Sequence, residues 1–355
     1  MLLFDAHLDL ALNGVDLNRD FRQAVDDIRV QERVAGMDGI LGRCKNTLSF
    51  PELRDAGVAV CLTTLLARLE PNVGHDFGHI TAEACYAYAH AHLAYYRAME
   101  RSGWMRMIKT KSELREHWQK YSAQPDSEPL GFILAMEGAD PLLTPGTIDE
   151  FYEHGLRAIG LTHYGGNRYG GGTRSENGLA LDAVDLLSHI ERLGMTVDMT
   201  HLSDKSFWQV AERFGGRIHA SHQNSRRISN WQRQFSDDQY RLVIQRGGVI
   251  GIAFDAIMMQ HGYTQGKSEP VATIDAAIEN IDIVCQLAGN ADHVGIGTDL
   301  DGGFGYEQTP TDLNRYTDLP PALLAGMSDR GYSQADIEKI MHGNWMRFFG
   351  EILPE

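Results

Sequence analysis

The chain has 355 residues, 43% of them hydrophobic, with 37 glycines and a formal net charge of −16. That length suits two domains or one large α/β barrel, and the acidic balance excludes DNA or RNA as the main ligand, because a nucleic-acid binder carries a basic face. No stretch reaches the roughly 18 uninterrupted apolar residues of a membrane span.

The opening M-L-L-F-D-A-H-L-D-L has no basic segment and turns polar at Asp5, so no signal peptide is expected and the chain reads as soluble and cytoplasmic. Cys44, Cys61, Cys85 and Cys285 are far apart and form no C-x-x-C, which predicts reduced, mostly buried thiols.

Eight short apolar runs follow one another along the chain: Leu2–Ala6, Val58–Thr64, Phe132–Met136, Ala158–Thr162, Thr196–Thr200, Arg217–Ser221, Val249–Phe254 and His293–Thr298. Runs of this kind fit parallel strands buried on both faces. Helix-like segments lie between them. Thr81–Glu100 reads as a long helix. Val184–Leu193 places Val184, Leu187, Ile190 and Leu193 on one stripe before Gly194. Ser203 can cap a helix that carries Phe207 and Val210, Ser236 and Gln239 form a capping box, and Ile274–Leu287 stops near Gly289. The alternation predicts a single (β/α)8 TIM barrel over residues 1–355. A doubly wound fold would want a glycine-rich phosphate turn after the first strand, where H-L-D stands instead.

A barrel of this type keeps its active site at the carboxyl ends of its strands. The first run leads into His7-Leu8-Asp9, the third into Glu137, the fourth into His163, the fifth into His201, the sixth into His222 and the eighth into Asp299. On an extended strand His7 and Asp9 point the same way and can share a divalent ion such as zinc. His201 and His222 can hold a second, with Glu137 bridging the two. Such a pair lowers the pKa of a shared water to near neutral, making hydroxide available as a nucleophile.

Other candidates have plainer readings. His219 falls inside its strand and reads as a core histidine. His75 and His79 have helical spacing, but Gly74 and Gly78 make the segment a loop, and His90 and His92 read as packing or solvated polar residues. Asp255 follows a strand where a carboxylate commonly caps the next helix.

The motifs D-A-H-L-D-L, A-M-E-G-A-D, G-L-T-H-Y, V-D-M-T-H-L-S-D, A-S-H-Q-N-S-R, G-I-G-T-D-L-D-G and G-N-W-M-R-F-F, in this order over nearly the whole chain, resemble the membrane (renal) dipeptidase family of amidohydrolase-type metallopeptidases. The resemblance implies two zinc ions per chain, one on His7, Asp9 and Glu137 and one on Glu137, His201 and His222, with the hydroxide between them attacking a peptide carbonyl. It implies that His163 stabilises the oxyanion, that Asp299 moves the proton to the leaving amine, and that Arg233 holds the free carboxylate of a small dipeptide, C-terminal D-residues included. Arg226 and Arg227 compete for that last role.

Leu8 replaces the family's usual asparagine and should point away from the metals. The lipid-anchor signals of the mammalian members are missing, so no membrane anchor is expected, and the family implies a homodimer. Asp301 reads as a residue that orders the loop, and the long 16–50 segment as a pocket-shaping insertion. The alternatives are an amidohydrolase acting on an N-acyl amino acid or lactam, and a metal-binding scaffold without turnover.

Overall fold

The computed structural model describes residues 1–70 and 78–355, so His75 lies outside the described residues. The barrel strands are β1 (Leu3–Leu8), β2 (Val58–Leu66), β3 (Leu130–Glu137), β4 (Leu156–Gly160), β5 (Thr196–Asp198), β6 (Ile218–His219), β7 (Ile250–Ile252) and β8 (Val294–Ile296). They pair in parallel in the order β6-β5-β4-β3-β2-β1-β8-β7. The Ala220↔Ile250 bridge brings β6 to β7 and closes the ring, with Gly251 N–H donating to Ala220 C=O at 2.8 Å. Closure removes the doubly wound alternative and gives a (β/α)8 barrel.

All eight apolar runs become strands, with shifted ends. β1 extends through Leu8, β4 begins two residues earlier than the Ala158–Thr162 run, and β6 shrinks to Ile218–His219. A further short strand, Met105–Met107, pairs with the first half of β3 while β4 takes the second half; three residues carry too little periodicity to be seen in sequence.

The caps behave as expected: Ser203 accepts from Ser206 N–H, Ser236 and Gln239 form their box, and Gly289 ends its helix in the left-handed region at φ 73°. The stripe proposed for Val184–Leu193 is wrong by one position. The helix is Leu181–Arg192, it buries Ala183, Leu186, Leu187 and Ile190, and Val184 is exposed. Leu186 and Leu187 straddle the buried face, and the stripe counted from Val184 missed Leu186.

The barrel interior is split along its axis. Its lower part is filled by Phe4, Ala6, Val60, Leu62, Ile133, Ala135 and Ala158 packed on Trp345, Phe348 and Phe349 of the helix Asn344–Ile352. His219 is fully buried against these three aromatic rings, with Nδ1 3.0 Å from Thr196 Oγ1; it is the core histidine expected. The opposite, carboxyl end is left to polar groups. There the strands approach closely: a Cβ on Gly251 or Gly297 would fall 1.9 or 1.8 Å from Ser221 C=O.

The 16–50 segment contains the helix Val25–Val34 and is tied to the barrel rim. Asp301, completely buried, accepts from Thr47 N–H, Thr47 Oγ1 and Leu48 N–H, and lies 3.8 Å from Arg19. Arg19 in turn binds Glu32 at 2.8 Å and Asn13 at 2.7 Å.

Candidate metal centre

Each side chain of the site stands where a strand gives way to a loop. β1 has a register irregularity between Asp5 and Leu8, the kind of bulge that re-aims side chains beside active sites. His7 and Asp9 then face the same cluster, while Leu8 is buried in the outer core. His201 and Asp299 take left-handed backbone conformations, φ 65° and 60°, which cost a residue with a Cβ about 1 kcal/mol or more each.

The centre of the arrangement is Glu137. Its Oε1 lies 3.6 Å from His7 Nε2, 3.7 Å from His163 Nε2, 3.3 Å from His201 Nε2 and 3.6 Å from His222 Nε2. His7 Nε2 is 3.8 Å from both Asp9 Oδ1 and Asp299 Oδ1, and the Nε2 atoms of His201 and His222 face each other at 3.1 Å. Two trios, His7–Asp9–Glu137 and Glu137–His201–His222, each have their ligand atoms within 4.8 Å of one another.

The far side of three of these four rings is occupied, while His163 Nδ1 is buried without a partner. His201 Nδ1 faces Thr173 Oγ1 at 3.0 Å, and Ser221 Oγ faces His222 Nδ1 at 2.8 Å and His7 Nδ1 at 3.3 Å. A hydroxyl oxygen has two lone pairs and can accept an Nδ1–H from both rings, which leaves each Nε2 lone pair free for a cation. His7 Nε2 is buried without any hydrogen-bond partner. Thr64 donates to Asp9. This donor set, nitrogen and carboxylate oxygen without thiolate, fits a pair of divalent ions.

Electrostatics tell the same story. Burial works against the His7 imidazolium, yet Glu137, Asp9 and Asp299 outweigh it and hold its pKa up to about 10. Burial, opposed by His7 and reinforced by Asp9 and Glu137, raises Asp299 well above the usual carboxylate range. Burial also keeps His201 and His222 neutral, and pushes His163 down to about 4, with Arg68 and Arg233 adding to it. Crowded acids that keep His7 protonated beside three neutral imidazoles are what a bound cation, taking the place of the His7 proton, would relieve.

Arg233 is buried beside the cluster, donating to Gln223 Oε1 at 2.8 Å and to His222 C=O at 3.1 Å. Its competitors turn away: Arg226 pairs with Asp204 and Arg227 with Asp237. Asp255 does cap the helix Ala256–Met259, accepting from Ile257 N–H at 2.9 Å.

Sequence reasoning missed the supporting groups Ser221, Thr173 and Thr64. It also missed Asp5, fully buried and accepting from Thr298 N–H, Thr298 Oγ1, Tyr316 OH and His7 N–H. Asp5 sits mid-strand in an apolar run, and that anomaly was the available signal.

A closed (β/α)8 barrel with imidazoles and carboxylates converging at the carboxyl ends of its strands defines a metal-dependent hydrolase. The family model described as membrane dipeptidase, peptidase family M19, matches residues 1–353, and the chain belongs to that family. An uncharacterized protein from the pqqA 5′ region of Klebsiella pneumoniae is 28% identical over 227 residues, 61% of this chain and 80% of that one. Dipeptidase tcpJ of Claviceps purpurea is 28% identical over 206 residues, 57% of this chain but 46% of the fungal protein.

Two solved structures share the fold over essentially their full length. A dipeptidase of family M19 has a TM-score of 0.80 at 22% identity, covering 100% of this chain and 99% of its own. A Rhodobacter sphaeroides metallopeptidase, liganded with a phosphinate mimic of L-Ala-D-Ala, has a TM-score of 0.78 at 23% identity, covering 99% of both chains. No helix among the described residues is long and apolar enough to cross a membrane.

Proposed function

We propose that the protein hydrolyses the peptide bond of small dipeptides with a free C-terminal carboxylate, D-residues included, as a binuclear zinc enzyme. The observation that carries this is Glu137 Oε1 standing within 3.3–3.7 Å of four imidazole nitrogens. His7, Asp9 and Glu137 would hold one ion, and Glu137, His201 and His222 the other. Two such ions supply Lewis acidity, polarising the scissile carbonyl and acidifying water towards neutral pH.

The remaining chemistry belongs to the chain. Arg233, through its guanidinium fork, takes the substrate carboxylate. His163, neutral at pH 7, donates a hydrogen bond to the oxygen that gains charge. Asp299 accepts a proton from the attacking water and returns it to the leaving nitrogen as the C–N bond breaks. The phosphinate dipeptide mimic seen in the Rhodobacter relative supports the inclusion of D-residues. Four cysteines without a disulfide support a cytoplasmic setting; the homodimer rests on the family alone.

The test is a screen of the zinc-loaded protein against L,L and L,D dipeptides beside N-acyl amino acids, with metal counted per chain. Dipeptide turnover with two ions per chain is expected. Turnover of acyl compounds alone would sink the reading, and a fully metallated but inert protein would leave the scaffold alternative standing.

A further inference from the structure

A cavity of about 230 Å3 lies at the same end of the barrel as the candidate metal centre, its walls including Arg174, Trp231, Ile257, His261 and Tyr263. These walls are the loops after β4, β6 and β7, and the one after β6 also carries Arg233, two residues beyond Trp231. Arg174 lies over the Tyr164 ring at 5.3 Å and the Trp231 ring at 5.8 Å. Tyr164 itself packs on His201 at 5.1 Å. One aromatic ring thus separates the Arg174 guanidinium from an imidazole of the cluster.

Arg174, exposed on its loop, is the arginine in the wall of this cavity. Arg168, Arg226 and Arg227, on loops of the same end of the barrel, each pair with an aspartate. Arg174 has only its aromatic contacts among the described residues, and no acid lines the cavity. A guanidinium engaged through its face keeps its N–H edge for an acceptor. Its placement is built in. The Arg174 backbone is left-handed at φ 69°, unfavourable for any residue with a Cβ. It is held there by Arg174 N–H donating to Gln232 Oε1 at 2.6 Å, while Gln232 Nε2 donates to Ser175 C=O at 3.0 Å.

We propose that this cavity receives the side chain of the substrate's carboxyl-terminal residue and that Arg174 selects a carboxylate there, so that dipeptides ending in glutamate or aspartate are favoured. The proposal rests on the dipeptidase reading, with Arg233 at the α-carboxylate next door. The volume suits a single side chain, and the Arg174 guanidinium supplies the positive charge.

The experiment compares kcat/KM of the zinc-loaded full chain for Ala-Glu and Ala-Gln, in both C-terminal configurations. A preference for glutamate of roughly ten- to a hundredfold is expected, the range of one hydrogen bond to a charged group. Arg174→Gln should bring that ratio to within about twofold, and Arg174→Lys, which keeps the charge but not the fork, should restore part of it. Because the ratio is internal to each variant, partial misfolding does not mimic the effect. A ratio near one in the unsubstituted protein, or a ratio that survives Arg174→Gln, overturns the proposal. Should no dipeptide be cleaved, the dipeptidase reading fails by itself. Calorimetric binding of N-acetylglutamate against N-acetylglutamine then decides Arg174 separately, equal affinities overturning it.

Discussion

Glu137 and Glu150 each sit among histidines, and in both places the nitrogen and oxygen atoms lie within 4.8 Å of one another. The second group, His90, Glu150 and His154, lies outside the barrel, between the helices Ala82–Arg101 and Ile148–Glu153. His90 Nε2 is 3.2 Å and His154 Nε2 3.8 Å from Glu150 Oε1, with side chains 28%, 31% and 42% exposed for His90, His154 and Glu150 against 9% for Glu137. Proximity is therefore equal and chemistry is not. Arg97 lies 3.0 Å from His154 Nδ1. A guanidinium can only donate, so Nδ1 must accept and the proton sits on Nε2, the atom a metal would need. Glu150 is also bound by Tyr86 OH at 2.9 Å. At the rim the nitrogens of His7, His201 and His222 that face away from Glu137 meet hydroxyls that can accept, which frees the inward lone pairs. What separates a metal centre from a crowd of histidines is the tautomer imposed from behind.

This contrast can be broken by experiment. Glu137→Gln removes the shared carboxylate and should cost about 100-fold or more in metal affinity, at or beyond the upper range for losing a supporting partner, together with nearly all turnover; metal analysis after dialysis and initial rates check both. If the proposed binuclear site is right, Asp299→Asn keeps the metal content of the unsubstituted protein and loses on the order of 10²–10⁴ in kcat. A variant that loses metal instead would make Asp299 a ligand.

Ser221→Ala takes the acceptor from two rings at once and should weaken metal binding by roughly 10–100-fold, read by competition with a chelator; unchanged affinity would undo the tautomer argument. Asp301→Asn turns an amide towards the Thr47 and Leu48 N–H donors and breaks the contact with Arg19. About 3 kcal/mol of stability should go, the scale of a broken buried pair, measured by urea unfolding. Least of all, Glu150→Gln should shift stability by no more than about 0.5 kcal/mol and leave metal content untouched.

The barrel was legible because eight apolar runs each ended in a polar residue, and buried parallel strands impose that composition locally. That His7, Asp9, Glu137, His201 and His222 would meet at one rim was legible for a related reason: they follow those runs, so finding the strands located the rim. Strand ends were less so. β6 stops at His219, and its pairing with β7 reduces to one bridge at Ala220, a matter of closure and twist that no local pattern records. On the helix Leu181–Arg192, Leu187 and Ile190 are buried as read, and Val184 was misjudged because it looks like a core residue until its neighbours are present.

Asp299 and Asp301 show where the division falls. The sequence by itself determined the strand-then-loop alternation, the donor types and their order, because burial and metal chemistry restrict which residues can stand at those positions. Only the tertiary structure decided that Asp299 turns to His7 while Asp301, two residues on, anchors Thr47 and Arg19 of a distant insertion. The same holds for Ser221 standing behind two histidines and Arg174 remaining without an acid. Side-chain direction and partner choice depend on backbone closure and on residues far apart in the chain, and those are set only when the ring of strands is complete.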